Sequence, residues 1–406
     1  MRLLLQELRK IWQPGILAVL VLLGALYYHT FLSFEIQYFP NGIYDAAQLE
    51  LAAEWVARYG PTIEPAELAG LKLQREEAAE AFRKAVAARP ECAGAGITDY
   101  ESYLAYRDET YQAAERSGGQ VDMERERLIQ QTAGSTNYAL LQELDTFLRM
   151  YAQQEAGIPA HLGYRGEDDP PELRRLSLAR ADSVAAGGWR HGFLPIGVLD
   201  ATGNYCRGLA VWMLLSTVLL LSPVLVRDRL SRMRSLQWAS RQGRRILTVQ
   251  MAAALLSGCF LLALNLAVFG GIFLGCNGVL AFKDCGLFSV WALRIPWFDW
   301  TYGQYLLALG GVLSALSLAA AGLTCFLSRF SAHYVAMLLK ALPLFAALTG
   351  CSRLLLTEPF FLGNPLGRLL VLPGAEGLAA AALTAAVLLL CLFDCRMQRR
   401  RELLQP

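Results

Sequence analysis

The chain has 406 residues, 55 % of them hydrophobic and only 18 % charged, with a formal net charge of +2. That balance excludes the uniformly basic surface expected of a nucleic-acid-binding chain and points toward a membrane. It also averages two opposite regions: residues 34–205 hold 27 of the 35 acidic residues against 16 Lys and Arg, so this stretch is near −11 and the remainder near +13.

The first apolar run, 16–33, follows Arg2, Arg9 and Lys10. A secretory signal has the same layout, but this run is longer than a signal core and no clean small-x-small cleavage site follows Ser33, so a retained transmembrane helix is expected.

Residues 34–205 are long enough to form a domain of their own. Within 66–88, Leu68, Leu71, Ala78, Phe82 and Val86 recur at helical spacing, with Glu76, Glu77, Arg83 and Lys84 on the other positions. This describes one apolar stripe and one solvated face. Further helices are expected at 45–59, 98–116, 121–132, 137–154 and 170–185, divided by breakers such as Gly60-Pro61, Pro90, Gly118-Gly119, Gly134-Ser135 and Pro159. Asp169-Pro170-Pro171-Glu172 reads as an N-cap, a proline at the first helical position and an early acidic residue. A helix start explains Glu167, Asp168 and Asp169 better than a calcium loop, whose regular ligand spacing is missing.

Five more apolar runs follow, at 208–226, 246–275, 303–327, 334–348 and 377–395. Most reach the roughly 20 residues that a helix needs to cross about 30 Å of hydrocarbon, so six transmembrane helices are expected. The run 246–275 is long enough to tilt or to break near Gly270 and Gly271. The run 334–348 is short and carries Lys340, which either faces a protein interior or wet cavity as a functional group, or snorkels from a position near the helix end. Small residues in 303–322 and 377–386 suit close helix contacts.

The flanking charges give an orientation. With six alternating spans, Arg2, Arg9, Lys10, the seven arginines from Arg227 to Arg245, Arg329, Arg396 and Arg399 to Arg401 all fall on one side, fifteen in all. The opposite short loops hold only Lys283, Arg294, Arg353 and Arg368. Positive charge collects on the cytoplasmic side, so both termini are expected there and residues 34–205 outside.

Catalytic patterns are missing. The histidines His29, His161, His191 and His333 form no pair on one helical face, and packing outweighs a metal site built from His161, His191 and Cys92. There is no G-x-S-x-G elbow and no G-x-x-x-x-G-K-[ST] loop, so if ATP drives this protein, another chain binds it. Of the nine cysteines, Cys259, Cys325, Cys391 and Cys395 lie in apolar runs and Cys206 at a membrane boundary; Cys276 and Cys285 are close enough in sequence to pair in an oxidising exterior, although spacing does not establish geometry.

The basic segment 227–245 opens with Asp228 and Arg229, continues with Met233 and Leu236, and closes with Ser240-Arg241-Gln242-Gly243-Arg244. It resembles the cytoplasmic loop between the second and third helices of ABC-2 type transporter permeases, with Arg232 where that family has a small residue. Gln6-Glu7-Leu8-Arg9-Lys10-Ile11-Trp12, within 1–15, resembles the amphipathic interfacial helix before the first span, and residues 323–331 resemble the turn after the fourth. The resemblance covers almost all of the membrane part and implies an all-α, polytopic protein: six transmembrane helices in 16–33 and 206–406, and a helical extracytoplasmic domain, 34–205. It implies an exporter permease in the plasma membrane that pairs with a second permease subunit and a separate ATP-binding subunit, which carries ATP and Mg; this chain needs no cofactor. The loop is then a coupling segment, with Asp228, Arg229, Arg232, Met233, Leu236, Arg241 and Gly243 against the ATPase, Glu7, Lys10 and Trp12 in the interfacial helix, and 354–370 a re-entrant segment. Two other classes stay open: a membrane-anchored structural or receptor protein that moves nothing, and a secondary transporter, for which the internal repeat is missing.

Overall fold

The computed structural model describes residues 2–156, 169–187, 191–230 and 243–404. Among the described residues the regular structure is helical, with three isolated bridges, Thr62 to Gly192, Gly286 to Thr301 and Pro296 to Phe361, and no strand. Six helices are long and apolar enough to cross a membrane: Pro14–Leu32, Ile196–Leu230, Ile246–Cys276, Tyr302–Arg329, Tyr334–Leu355 and Ala375–Met397.

A short helix, α1 (Arg2–Ile11), precedes the first span, in which α2 (Pro14–Tyr27) passes into a π-helical turn, Tyr28–Leu32; α3 (Phe34–Gln37) follows the span. Pro14 sits in the first turn of α2, where its missing N–H costs nothing. Seven helices follow: α4 (Gly42–Tyr59), α5 (Leu68–Ala87), α6 (Pro90–Gly94), α7 (Tyr100–Arg116), α8 (Met123–Ser135), α9 (Tyr138–Ala156) and α10 (Pro171–Ala186). The stripe read at 66–88 is the buried face of α5, where Leu71, Ala78, Phe82 and Val86 are inside. Side-chain carboxylates satisfy orphan backbone donors at two starts: Asp99 accepts from Ser102 N at 2.8 Å, and Asp122 from Glu124 N at 3.0 Å.

The membrane helices are α11 (Ile196–Leu221) with its continuation α12 (Val224–Leu230), α13 (Gly243–Asn265), α14 (Gly271–Cys276), α15 (Tyr302–Arg329), α16 (Tyr334–Leu355) and α18 (Ala375–Leu404), with the short α17 (Pro365–Leu370) before the last. The break expected near Gly270 and Gly271 is a π-helical turn, Leu266–Gly270, between α13 and α14. The Tyr205 hydroxyl donates to Phe269 O within that turn at 2.7 Å.

Two of these helices are central. The most apolar window of the span formed by α11 and α12 is 72 % buried and that of α15 is 50 % buried, against 17–28 % for the other four spans. Polar groups tie α11 to its neighbours: Trp212 Nε1 donates to Asn265 Oδ1 of α13 at 3.0 Å, Asn265 Nδ2 to Ser216 Oγ at 3.2 Å, and the Thr217 hydroxyl meets that of Ser317 of α15 at 3.3 Å. Close approach explains two glycines. A Cβ at Gly322 would lie 2.5 Å from Val387 Cγ1 of α18, and one at Gly258 would lie 2.8 Å from Ala321 Cβ. Gly310 and Gly311, in the same small-residue stretch, have open space around them. Outward faces are apolar, with Leu22 and Leu339 both 70 % exposed. Water would penalise such a belt, and lipid would not.

The structure corrects several sequence expectations. The domain boundary at 205 falls inside α11, which starts at Ile196; Asp200, Asn204 and Arg207 interrupt the apolar pattern there without ending the helix. The run 334–348 extends to Leu355, so α16 has 22 residues and a length of about 33 Å. Asp169 does not cap α10: Pro170 holds the cap position, and the Asp169 carboxylate pairs with Arg368. The pairing of Cys276 and Cys285, which the sequence leaves open, is absent: both are free thiols, the first exposed and the second buried. Burial pushes the Cys285 thiol up to about 12, which keeps it protonated and unreactive at neutral pH.

The described residues of 34–195 share their core with the connection between α14 and α15. Trp55 of α4 stacks on Trp291, from the connection between α14 and α15, with centroids 5.3 Å apart and planes 4° from parallel, and Phe147 and Phe193 close around them. Gln154 Nε2 donates to Ser289 O at 3.3 Å, and Arg180 pairs with Asp299 at 2.6 Å. Helices α4 to α10 therefore gather with 277–301 at one end of the bundle. Helix α1 and the C-terminal part of α18 lie at the other.

Candidate functional site

At the terminal end, residues selected from distant parts of the sequence converge. Amphipathic α1 lays Leu4, Leu8 and Ile11 into a core shared with Leu221, Leu225, Met251 and Cys391. Trp12, just beyond it, donates from Nε1 to Ser257 Oγ at 3.0 Å and packs edge-on against Phe260 at 5.2 Å. The helix is thus fixed along α13.

Charged residues complete the attachment. Lys10 Nζ donates to Glu7 Oε1 at 2.7 Å and lies 3.5 Å from Asp228 Oδ2, which also accepts from Gln250 Nε2 at 2.7 Å. Arg227 donates to the Lys10 carbonyl. Glu7 and Asp228 are 3 % and 9 % exposed, so each needs its partners: a buried charge without compensation is costly, and here every carboxylate has a cation or amide beside it.

A second set of bonds joins α12 to the end of α15. Pro223 has no N–H and interrupts α11, leaving the first donors of α12 without helical partners. Ser328 bridges the break, accepting from Leu225 N at 3.2 Å and donating to Ser222 O at 2.9 Å. Arg229 donates to the carbonyls of Ser331 at 2.9 Å and Arg329 at 2.5 Å, capping the C-terminus of α15. Arg329 in turn pairs with Asp394 of α18, both side chains nearly buried. Five elements, α1, α12, α13, α15 and α18, are therefore held in one polar framework.

Lys340 belongs to the rim of this region. Its Nζ donates to Phe330 O at 2.9 Å, less than two turns into α16, so the ammonium reaches back to the helix end. That is the snorkelling arrangement. His333 caps the same helix, its Nδ1 accepting from Ala336 N at 3.2 Å.

Of the proposed coupling residues, Asp228 and Arg229 lie in the framework and Gly243 opens α13. Arg232, Met233, Leu236 and Arg241 lie outside the described residues, as does His161. Sequence reasoning missed Gln250, Ser257, Ser328 and Asp394. Gln250 and Asp394 carried a signal, each being a strongly polar side chain near the end of an otherwise apolar run.

The segment 354–370 completes α16, turns through 356–364 and ends in the six-residue α17. Asn364, fully buried, organises it by donating to Thr357 O at 2.8 Å and accepting from Leu366 N and Gly367 N at 3.0 Å. The chain folds back onto α18 here, where Glu376 accepts from Phe360 N.

Among the described residues no group of three or more His, Cys, Asp or Glu could hold a metal ion. His191 instead bonds Glu155 at 2.7 Å and stacks on Tyr151, and Cys92 is buried 3.5 Å from Thr132 Oγ1. The terminal framework provides mechanical connection between α1, the stem of the basic loop and three further spans, α13, α15 and α18. No protein-family profile, curated protein or solved structure matches the chain.

Proposed function

We propose that this chain is the membrane-spanning permease subunit of an ABC-2 type exporter in the plasma membrane, paired with a second permease subunit. A separate ATP-binding subunit docks on the loop 227–245. The carrying observation is the convergence of Glu7, Lys10 and Trp12 with Asp228, Arg229 and Arg227, picked out in two stretches more than 200 residues apart, into one bonded framework.

The reading gives that framework work to do. A loop docked on an ATPase transmits motion only if its stem is tied to the helices it must move, and Asp228 and Arg229 tie it to α1, α13 and α15. ATP closing the partner dimer then favours one arrangement of the helices, and hydrolysis releases it; the coupling is the difference in the partner's affinity for the two arrangements. The fifteen positive residues that six alternating spans put on one side favour a cytoplasmic location for the framework, with the helices α4 to α10 outside. The fold-back at 356–374 supports a re-entrant role for that segment, since irregular backbone in a bilayer needs protein around it.

The test is purification of the tagged full-length chain in mild detergent from its native membrane. An ATP-binding chain in stoichiometric amount, lost on Arg241→Glu with the melting temperature unchanged, is the expected result. Recovery of the chain with no nucleotide-binding partner would instead favour a membrane-anchored receptor or structural protein.

A further inference from the structure

Glu376, in the first turn of α18, is fully buried, and its two carboxyl oxygens stand in different surroundings. Oε1 accepts from Phe360 N, whereas Oε2 has no hydrogen-bond partner. Among the described residues the donors that face the carboxyl are the amides of Phe360 and of Glu376 itself, and no lysine or arginine pairs with it. The charges on the surrounding elements are engaged elsewhere or turned outward. Arg294 of the 277–301 connection pairs with Asp200, Asp299 with Arg180, and Arg368 of α17 with Asp169, while Arg353 of α16 is exposed. Tyr305 of α15 and Glu358 of the 356–364 turn add titratable groups but no cation.

The cover over Glu376 is that turn. Phe360 carries the donor amide, packs on Trp300 and Tyr305, and stands against the start of α18, where a Cβ at Gly377 would lie 3.4 Å from its ring. Glu358 and Phe360 have φ of 44° and 65°, a region that bulky non-glycine residues rarely occupy. Such backbone persists only where its surroundings enforce it. Tyr305 and Phe361 also line a cleft of ≈ 130 Å³, well beyond the ~10–15 Å³ that holds one water.

From this geometry we infer that Glu376 is a proton-binding carboxyl, neutral while the 356–364 turn is closed over it and ionised when the turn lifts and water enters. An ionised carboxylate taken out of water without a cation is costly, and the N-terminus of α18, which favours an anion, returns only a fraction of that cost. A neutral acid carries a far smaller penalty. Opening therefore releases one proton to the entering water, and closure takes one up. The closed turn is most stable at low pH and loosens as pH rises, because the open form gives up its proton first. This site is separate from the terminal framework and does not depend on the transporter reading.

The experiment combines infrared spectroscopy with hydrogen exchange on the full-length chain in nanodiscs across a pH series. A protonated carboxyl absorbs apart from an ionised one. The expected result is a protonated-carboxyl band at neutral pH that persists in Glu143→Gln and is lost in Glu376→Gln. In the unaltered chain the amides of Phe360 and Leu362, bonded to Glu376 and to the Ile295 carbonyl, should lose protection by about tenfold per pH unit from mildly acidic to neutral pH, beyond intrinsic exchange, since one proton leaves on opening. That extra slope should vanish in Glu376→Gln. Absence of the band at neutral pH from the unaltered chain or from Glu143→Gln would overturn the inference. So would a slope that Glu376→Gln leaves in place, or no slope in the unaltered chain. The band and the slope are read without Glu376→Gln, so they decide the matter even if that variant does not fold.

Discussion

At the terminal end of the bundle, helices are joined by ionic and polar bonds with few alternatives: Lys10 between Glu7 and Asp228, Arg229 on two carbonyls, Arg329 on Asp394. At the opposite end the joints are aromatic. Trp55, Phe147, Phe193 and Trp291 form one block, and Phe82, Tyr100, Tyr103 and Tyr138 another. Directional bonds hold one geometry and tie the 227–230 stem to α1, α13 and α15. Apolar contacts depend on area and fit, and they hold the helices α4 to α9 against the 277–301 connection. The comparison separates a framework suited to transmitting motion from one suited to maintaining a shape.

Substitutions at each end should therefore fail differently. Trp55→Ala removes the centre of the aromatic block and should cost about 3–5 kcal/mol. Hydrogen exchange should show lost protection in 42–156 and 277–301 while α1 and α12 stay protected. Asp394→Ala leaves Arg329 nearly buried without its partner, which costs about 3–5 kcal/mol for a buried pair. Here the loss of protection should fall on α15 and α18, and Arg329→Met in the same chain should recover most of the stability. Equal spreading of either effect over both ends would contradict the distinction.

Smaller effects sharpen it. Gly322→Val overpacks the contact with Val387 and should lower stability by about 1–3 kcal/mol, whereas Gly310→Ala, in open space, should not destabilise. The smallest effect is a pH dependence at the aromatic end. Burial raises the carboxyl pKa of Glu143 above its ordinary value; the Gln48 amide, donating at 2.9 Å, opposes this, and Asp45 adds to it. The folded chain then keeps a proton that the unfolded chain has released, so this contribution is full below the unfolded pKa and is lost as pH rises through the folded one. Glu143→Gln should flatten the melting temperature against pH in the mildly acidic range and raise it at neutral pH. An unchanged profile would show that Glu143 is not the group responsible.

The sequence made the membrane helices legible because lipid demands long apolar runs, and it made α5 legible because one stripe of a helix must be buried. The errors sit where tertiary contacts override local pattern. Asp200, Asn204 and Arg207 resemble a boundary in sequence, yet α11 runs through them, with Asp200 paired to Arg294 and Arg207 bonded to Asn204. Asp169 has the chemistry of a cap but is drawn to Arg368, 199 positions away. Trp291 lies in a short connection with no regular pattern, and nothing local reveals that it stacks on Trp55. At the candidate site, Glu7, Lys10, Trp12, Asp228 and Arg229 could each be singled out. Their meeting point could not, because Gln250 and Ser328 join them through bonds that depend on helix packing.

The most direct measurement is site-specific photo-crosslinking from Met233 or Leu236, within the basic loop, in the native membrane. Attachment to an ATP-binding chain, abolished by Arg241→Glu, is the result expected of a coupling loop. Crosslinks confined to lipid or to a second copy of this chain would contradict the assignment of the loop as an ATPase-docking segment.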